Sequence, residues 1–163
     1  MEFQSNLKNS LIRNIESSDL LNQPFVHKFV KNVFPENVYN EIVNNIPSRS
    51  YYVPILDTGT VKKGYSPERY VFNLQETKLL NKLENKQKLF FNNLLEAIIS
   101  NELFNSVTLG FSKTIDERLN NLSQDEKQKI GTSNYKFNMR VALVKDYTKY
   151  SLGVHTDAIH KLI

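Results

Sequence analysis

The sequence contains no cysteine. That single absence excludes disulfides, thiolate zinc sites, iron–sulfur clusters and cysteine nucleophiles. No apolar run approaches the roughly 20 residues needed to span a bilayer, and the opening MEFQSNLKNSLIRNIESS lacks the apolar core of a secretory signal. The expectation is a cytoplasmic protein with no membrane association. Histidine is scarce too: His27, His155 and His160 are the whole complement. Any metal must be held by these imidazoles, by Asp or Glu, or by backbone oxygens. The motifs of P-loop, dinucleotide-binding, zincin and Ser-His-Asp chemistry are all missing.

What is present suits a globular domain. The chain has 163 residues, 40% of them hydrophobic and 11% aromatic, enough for one domain with a substantial core. A net charge of +4 raises the question of nucleic acid. The lysines are scattered, however, and the densest charged stretch, IDERLNNLSQDEKQKIG, mixes both signs. That is the pattern of a solvated helical face rather than a phosphate-binding stripe. Twenty asparagines, with many Lys and Ile, also point to a compositional bias that raises the isoelectric point without a functional cause.

Periodicity predicts a mixed α+β order. Leu7, Leu11, Ile12 and Ile15 form one helical stripe, so residues 1–22 read as an N-terminal helical segment. Residues 23–163 read as the main domain. Pro24 opens an extended run in which Phe25, His27 and Phe29 share one face. In FPENVYNEIVNNIP, Pro35 lies just inside a helix start, Val38, Ile42 and Ile46 repeat at helical spacing, and Pro47 ends the element. YYVPI and RYVFNL are predicted as short strands around a turn-rich loop. From Glu76 to Ser100 the apolar spacing predicts one long helix, followed by a short one in NELFNSVTLGF and an exposed excursion. The next strand is YKFNMRVALVKDY, with Phe137, Met139, Val141 and Leu143 on one side.

The chemistry-bearing pattern lies near the end, in SLGVHTDAIHKLI. On a strand, alternate side chains share a face, so His155 and Asp157 point the same way from Cα atoms about 6–7 Å apart. An imidazole and a carboxylate so placed can converge on one metal ion. Two histidines and one carboxylate on one face of an octahedral ion make the facial triad of non-haem Fe(II) oxygenases, which leaves open positions. His160 is five residues from His155, so an unbroken strand points it to the wrong face; only a bend near Ala158 would bring it round. His27, flanked by two same-face phenylalanines, reads as structural. By itself an H-x-D tripeptide also fits a surface histidine beside an aspartate.

The longer segment RVALVKDYTKYSLGVHTDAIHKLI resembles the 2-oxoglutarate- and Fe(II)-dependent oxygenases, in particular small bacterial and phage-type relatives of the prolyl-hydroxylase-like group. PFVHKFVKNVFPENVYNEIVNNIP is similar to that family's opening strand and helix. The resemblance implies N-terminal helices plus the opening strands of a double-stranded β-helix (jelly roll), here incomplete. It implies an enzyme that uses Fe(II) and the co-substrate 2-oxoglutarate to hydroxylate a small-molecule or peptide substrate. His155 and Asp157 match the first two iron ligands, and Tyr147 matches a tyrosine that contacts 2-oxoglutarate in relatives. Arg140 and Lys161 fall at positions that line or border the pocket. Each has a plain alternative: a strand-end aromatic for Tyr147, solvated charges for Arg140 and Lys161.

The family's third ligand and the basic partner of the far carboxylate of 2-oxoglutarate lie on later strands that this sequence does not contain. The expectation is therefore a truncated form, inactive alone, or a non-catalytic remnant or interaction module of the same fold. A second chain completing the sheet is a further alternative.

Overall fold

The computed structural model of the chain describes residues 2–61, 64–130 and 139–151. Among these it is a mixed α+β structure with seven α-helices and two small antiparallel sheets. The helices are α1 (Glu2–Glu16), α2 (Glu36–Asn44), α3 (Thr77–Leu80), α4 (Asn85–Ile98), α5 (Asn101–Gly110), α6 (Ser112–Asn120) and α7 (Gln124–Ile130). The strands are β1 (Leu20–Leu21), β2 (His27–Lys28), β3 (Val53–Pro54), β4 (Arg69–Asn73) and β5 (Ala142–Asp146).

The helical layer follows the apolar stripes. Leu7 and Leu11 of α1 are buried, with Ile12 and Ile15 packed beside them. Their partners are Phe91, Leu94 and Ala97 of α4 and Leu103 of α5, which belong to the same core cluster. Polar groups at the rim of this contact are paired. Gln4 Nε2 donates to Asn93 Oδ1 at 3.0 Å, and Lys8 meets Glu102 at 2.6 Å. Ser100 caps α5 by accepting a hydrogen bond from the Leu103 N–H, which satisfies one of the orphan donors of a helix start.

The long helix predicted from Glu76 to Ser100 is two helices. Leu79, Leu80, Leu83, Phe91, Leu94 and Ala97 are all buried, and at helical spacing they fall in one continuous stripe. Periodicity therefore runs straight through the break. The interruption lies between Asn81 and Asn85, where Glu84 is extended (φ −59°, ψ 149°) and a new helix begins. Asparagine competes with the helix through local hydrogen bonds, and two of them bracket this turn. The excursion expected after Phe111 is helical, as α6 and α7, and lies mostly in solvent.

The larger sheet has the order β3–β4–β5 with both pairs antiparallel. Its register pairs Tyr70 with Lys145 and Phe72 with Leu143, so these four residues share a face with Pro54, the partner of Tyr70. That face rests on the helices: Phe72 is fully buried, and Tyr52 packs on its ring at 5.8 Å. Arg69, Val71, Val144 and Asp146 lie on the opposite face. The Gln75 side chain extends the ladder, accepting from the Val141 N–H and donating to the Met139 carbonyl, both at 3.0 Å.

The extended run after Pro24 is shorter than its alternation predicts. Only His27 and Lys28 pair, with Leu21 and Leu20, and Phe25 and Phe29 stand 67% and 68% exposed. Among the described residues Phe25 and Phe29 are not covered by the core, and alternation alone does not hold a strand.

Candidate functional site

Tyr147 closes β5. Its N–H donates to the Glu68 carbonyl at 2.9 Å, carrying the β4–β5 ladder one residue further, and the Tyr150 N–H folds back onto its carbonyl at 2.7 Å. The phenol ring stands edge-on to Tyr70, with centroids 5.3 Å apart at 82°. The side chain of Arg49, from the 3₁₀ turn Arg49–Tyr51, lies over both rings. Its guanidinium carbon is 4.7 Å from the Tyr147 centroid and 4.9 Å from that of Tyr70. Nη2 also donates to the Tyr70 hydroxyl at 3.0 Å, and this hydrogen bond is the main cause of the raised Arg49 pKa.

Lys145 reinforces the same corner. Its Nζ donates to the Pro47 carbonyl at 3.0 Å and sits 4.5 Å from the Tyr52 ring centroid. The segment that carries Arg49 is thereby tied down at Pro47 by a cation from β5. Burial, followed by the neighbouring Tyr147, pushes the Tyr52 phenol up to about 12.

A second cluster occupies the other face. Arg69 makes a two-pronged ion pair with Asp146, Nε and Nη2 each donating at 2.7 Å. The pairing is planar fork on carboxylate, the geometry that suits guanidinium. Arg69 also stacks on Tyr150 at 4.1 Å and donates to the Tyr65 hydroxyl at 3.2 Å, and the Tyr65 and Tyr150 hydroxyls are 2.9 Å apart. The guanidinium holds the Asp146 carboxyl below the usual carboxylate range. Burial, and then the hydrogen bond with Tyr65, raise the Tyr150 phenol to about 12 against the opposing pull of Arg69. Each guanidinium nitrogen of Arg69 donates to a partner, so this cluster reads as a clasp joining β4 to β5.

The residues singled out from sequence are not all brought together. Tyr147 lies at the C-terminal end of β5, inside the Arg49 corner. Arg140 is exposed and precedes β5 at its other end; seven residues of extended chain separate the two by about 23 Å. His155, Asp157, His160 and Lys161 lie outside the described residues. His27 lies in β2, its Nδ1 2.8 Å from the Phe25 carbonyl and its ring 5.1 Å from that of the phenylalanine. Among the described residues no group of three or more His, Asp or Glu side chains can hold a metal ion. The described part of the chain thus offers no seat for Fe(II), which would depend on His155 and Asp157.

Arg49, Tyr70 and Lys145 carry no sequence signal for a site. Arg49 sits in PSRSYY, an unremarkable turn, and only the β4–β5 register brings Tyr70 beside Lys145. Arg69 and Asp146 were more accessible: opposite charges at the ends of two adjacent strands pair if those strands run antiparallel.

No family model matches the chain, and no curated protein or solved structure is similar enough to it to count as a match. Among the described residues no helix is long and apolar enough to cross a membrane.

Proposed function

We propose that this chain is a domain of the 2-oxoglutarate- and Fe(II)-dependent dioxygenase type, acting on a small-molecule or peptide substrate. In this reading β3, β4 and β5 are the opening strands of a jelly roll with α1, α4 and α5 packed against one face. His155 and Asp157 hold the metal, a nitrogen and oxygen donor pair that suits Fe(II). When bound, Fe(II) and 2-oxoglutarate would activate dioxygen, the oxidant, so that one of its oxygen atoms enters a substrate C–H bond and the other enters succinate as carbon dioxide is released.

One observation carries most weight among the described residues. Tyr147 stands where β5 leaves the sheet towards the H-x-D segment, and its hydroxyl has no hydrogen-bond partner among them. A free phenol O–H is a donor to a carboxylate oxygen. Edge-on packing against Tyr70 and the guanidinium over its face hold the ring without using that hydroxyl. The role of the protein here is orientation: the ring is fixed and its donor is unspent.

Mn(II) is a suitable redox-silent probe of the metal site in the purified chain. Removing an outer-shell partner of a metal ligand costs about 10–100-fold in affinity, so losing a ligand outright costs at least that. His155→Ala and Asp157→Ala are each expected to weaken Mn(II) binding, followed by electron paramagnetic resonance, by that margin. Unchanged Mn(II) affinity in both variants overturns the proposal.

A second reading, a non-catalytic interaction module of the same fold, is favoured by the wide exposure of Phe25 and Phe29. It predicts that His155→Ala leaves metal binding and every other property as they were.

A further inference from the structure

The Arg49 corner holds positive charge that no carboxylate among the described residues neutralises. Arg49 makes no ion pair among the described residues, and neither does Lys145, although these residues include three ion pairs elsewhere. Among the described residues the acidic side chain that acts on Arg49 is Glu68, and its effect is the weakest of the causes on that guanidinium. This contrasts with Arg69 on the opposite face, whose fork is filled by Asp146.

The Arg49 guanidinium is also held in place. Two phenol rings engage it, and one Nη is bonded to the Tyr70 hydroxyl. A guanidinium carries five N–H donors, and that one bond leaves the rest of its edge to the solvent, where Arg49 is exposed. The turn that presents it is anchored at Pro47, whose carbonyl accepts a hydrogen bond from Lys145 Nζ. Restraining a cation before a ligand arrives removes ordering cost from binding. A planar fork with open edge donors matches the two oxygens of a carboxylate or phosphate.

We propose that Arg49, fixed on Tyr70 and Tyr147 and backed by Lys145, is the centre of an oxyanion-binding site for the carboxylate or phosphate group of a ligand. This site needs no metal and stands whether or not His155 and Asp157 bind one. Its chemistry is recognition alone; no bond is made or broken there.

The test is a nuclear magnetic resonance titration of the full chain, without metal, following the Arg49 side-chain Nε–H signal. Sodium acetate and inorganic phosphate are added separately at constant pH and ionic strength, with chloride as the balancing anion. Arg118, exposed on α6, serves as the control for general screening. Saturable shifts at Arg49 but not at Arg118, with a dissociation constant on the order of 1 mM, are expected for a single-group anion. A stronger response to acetate identifies a carboxylate ligand, and a stronger response to phosphate a phosphorylated one.

Arg49→Lys keeps the charge but loses the fork, and is expected to bind about fivefold more weakly, as read from the Tyr147 and Lys145 signals. Equal responses at Arg49 and Arg118 in the unaltered chain overturn the proposal, and so does full affinity in Arg49→Lys. The first of these needs no variant to fold.

Discussion

Phe72→Ala is the sharpest test of how the sheet and the helical layer hold together. Phe72 is the fourth residue of the central strand β4 and has no exposed surface. Its ring meets Tyr52 at 5.8 Å, and its cross-strand partner Leu143 packs against the same cluster. Truncation leaves a void bounded by the sheet on one side and helices on the other, neither of which can collapse without breaking its ladder. Phe→Ala changes at such sites cost about 3–5 kcal/mol, the lost transfer energy plus the cavity. Against a total stability of roughly 5–15 kcal/mol this is a large fraction. For a chain of this size each kcal/mol lowers the midpoint by about 2–4 °C, so a fall of roughly 6–20 °C is expected. The control is Leu89→Ala on α4, where the side chain is 62% exposed and the expected loss is about 0.5 kcal/mol or less. Urea unfolding followed by circular dichroism measures the free-energy cost of each variant, and thermal unfolding followed the same way measures the midpoint. A Phe72→Ala cost under about 1 kcal/mol, or one equal to that of Leu89→Ala, would refute the assignment of Phe72 to a rigid core.

Three further outcomes are expected. Ser100→Ala removes the acceptor for the Leu103 N–H and should cost about 1 kcal/mol in the same unfolding assay, whereas Ser100→Asp should retain most of the stability. Asp146→Asn should cost about 0.5–1 kcal/mol at neutral pH, a small value because both partners of the Arg69 pair remain partly in water. Since Arg69 depresses the Asp146 pKa, that contribution is complete above the ordinary carboxylate value of about 4 and fades as pH falls through the lower folded value. Unfolding curves between neutral pH and about pH 3 should therefore converge for the two proteins. Tyr52 and Tyr150 should ionise near pH 12 in a tyrosinate absorbance titration. Their raised values mean that stability falls as pH rises from about 10, because the unfolded chain loses those protons first.

Much of the helical layer was legible in the sequence. The stripe of Leu7, Leu11, Ile12 and Ile15 predicts α1 and the face it buries, and Val38 does the same for α2. RYVFNL and the end of VALVKDY mark β4 and β5, because alternation there is backed by a core on one side. The break at Asn81–Asn85 was not legible, since the apolar phase continues across it. Nor was the exposure of Phe25 and Phe29, which is a tertiary fact. The candidate site was legible only in part. Tyr147 follows from its place at a strand end, but Arg49 reaches it from nearly a hundred residues away, through a turn whose position depends on Lys145 and Pro47. Composition cannot reveal such a meeting. Lone charged residues look alike in sequence, and only the sheet register separates Arg69, paired with Asp146, from Arg49, which has no ion pair among the described residues.

That separation bears on the two functional readings. The oxygenase and the non-catalytic module share the same sheet, the same helices and the same Tyr52–Phe72 contact, so no measurement of stability distinguishes them. They part at two chemically independent places. One is the H-x-D pair, which binds a divalent cation only if the side chains of His155 and Asp157 converge. The other is the Arg49 corner, which binds an oxyanion with or without metal. Metal binding together with anion binding supports an enzyme with an anionic co-substrate. Anion binding that survives His155→Ala, in a chain that never binds Mn(II), makes Arg49 a recognition site of the interaction module. Because neither measurement disturbs the core around Phe72, a negative result in one cannot be blamed on unfolding when the other is positive.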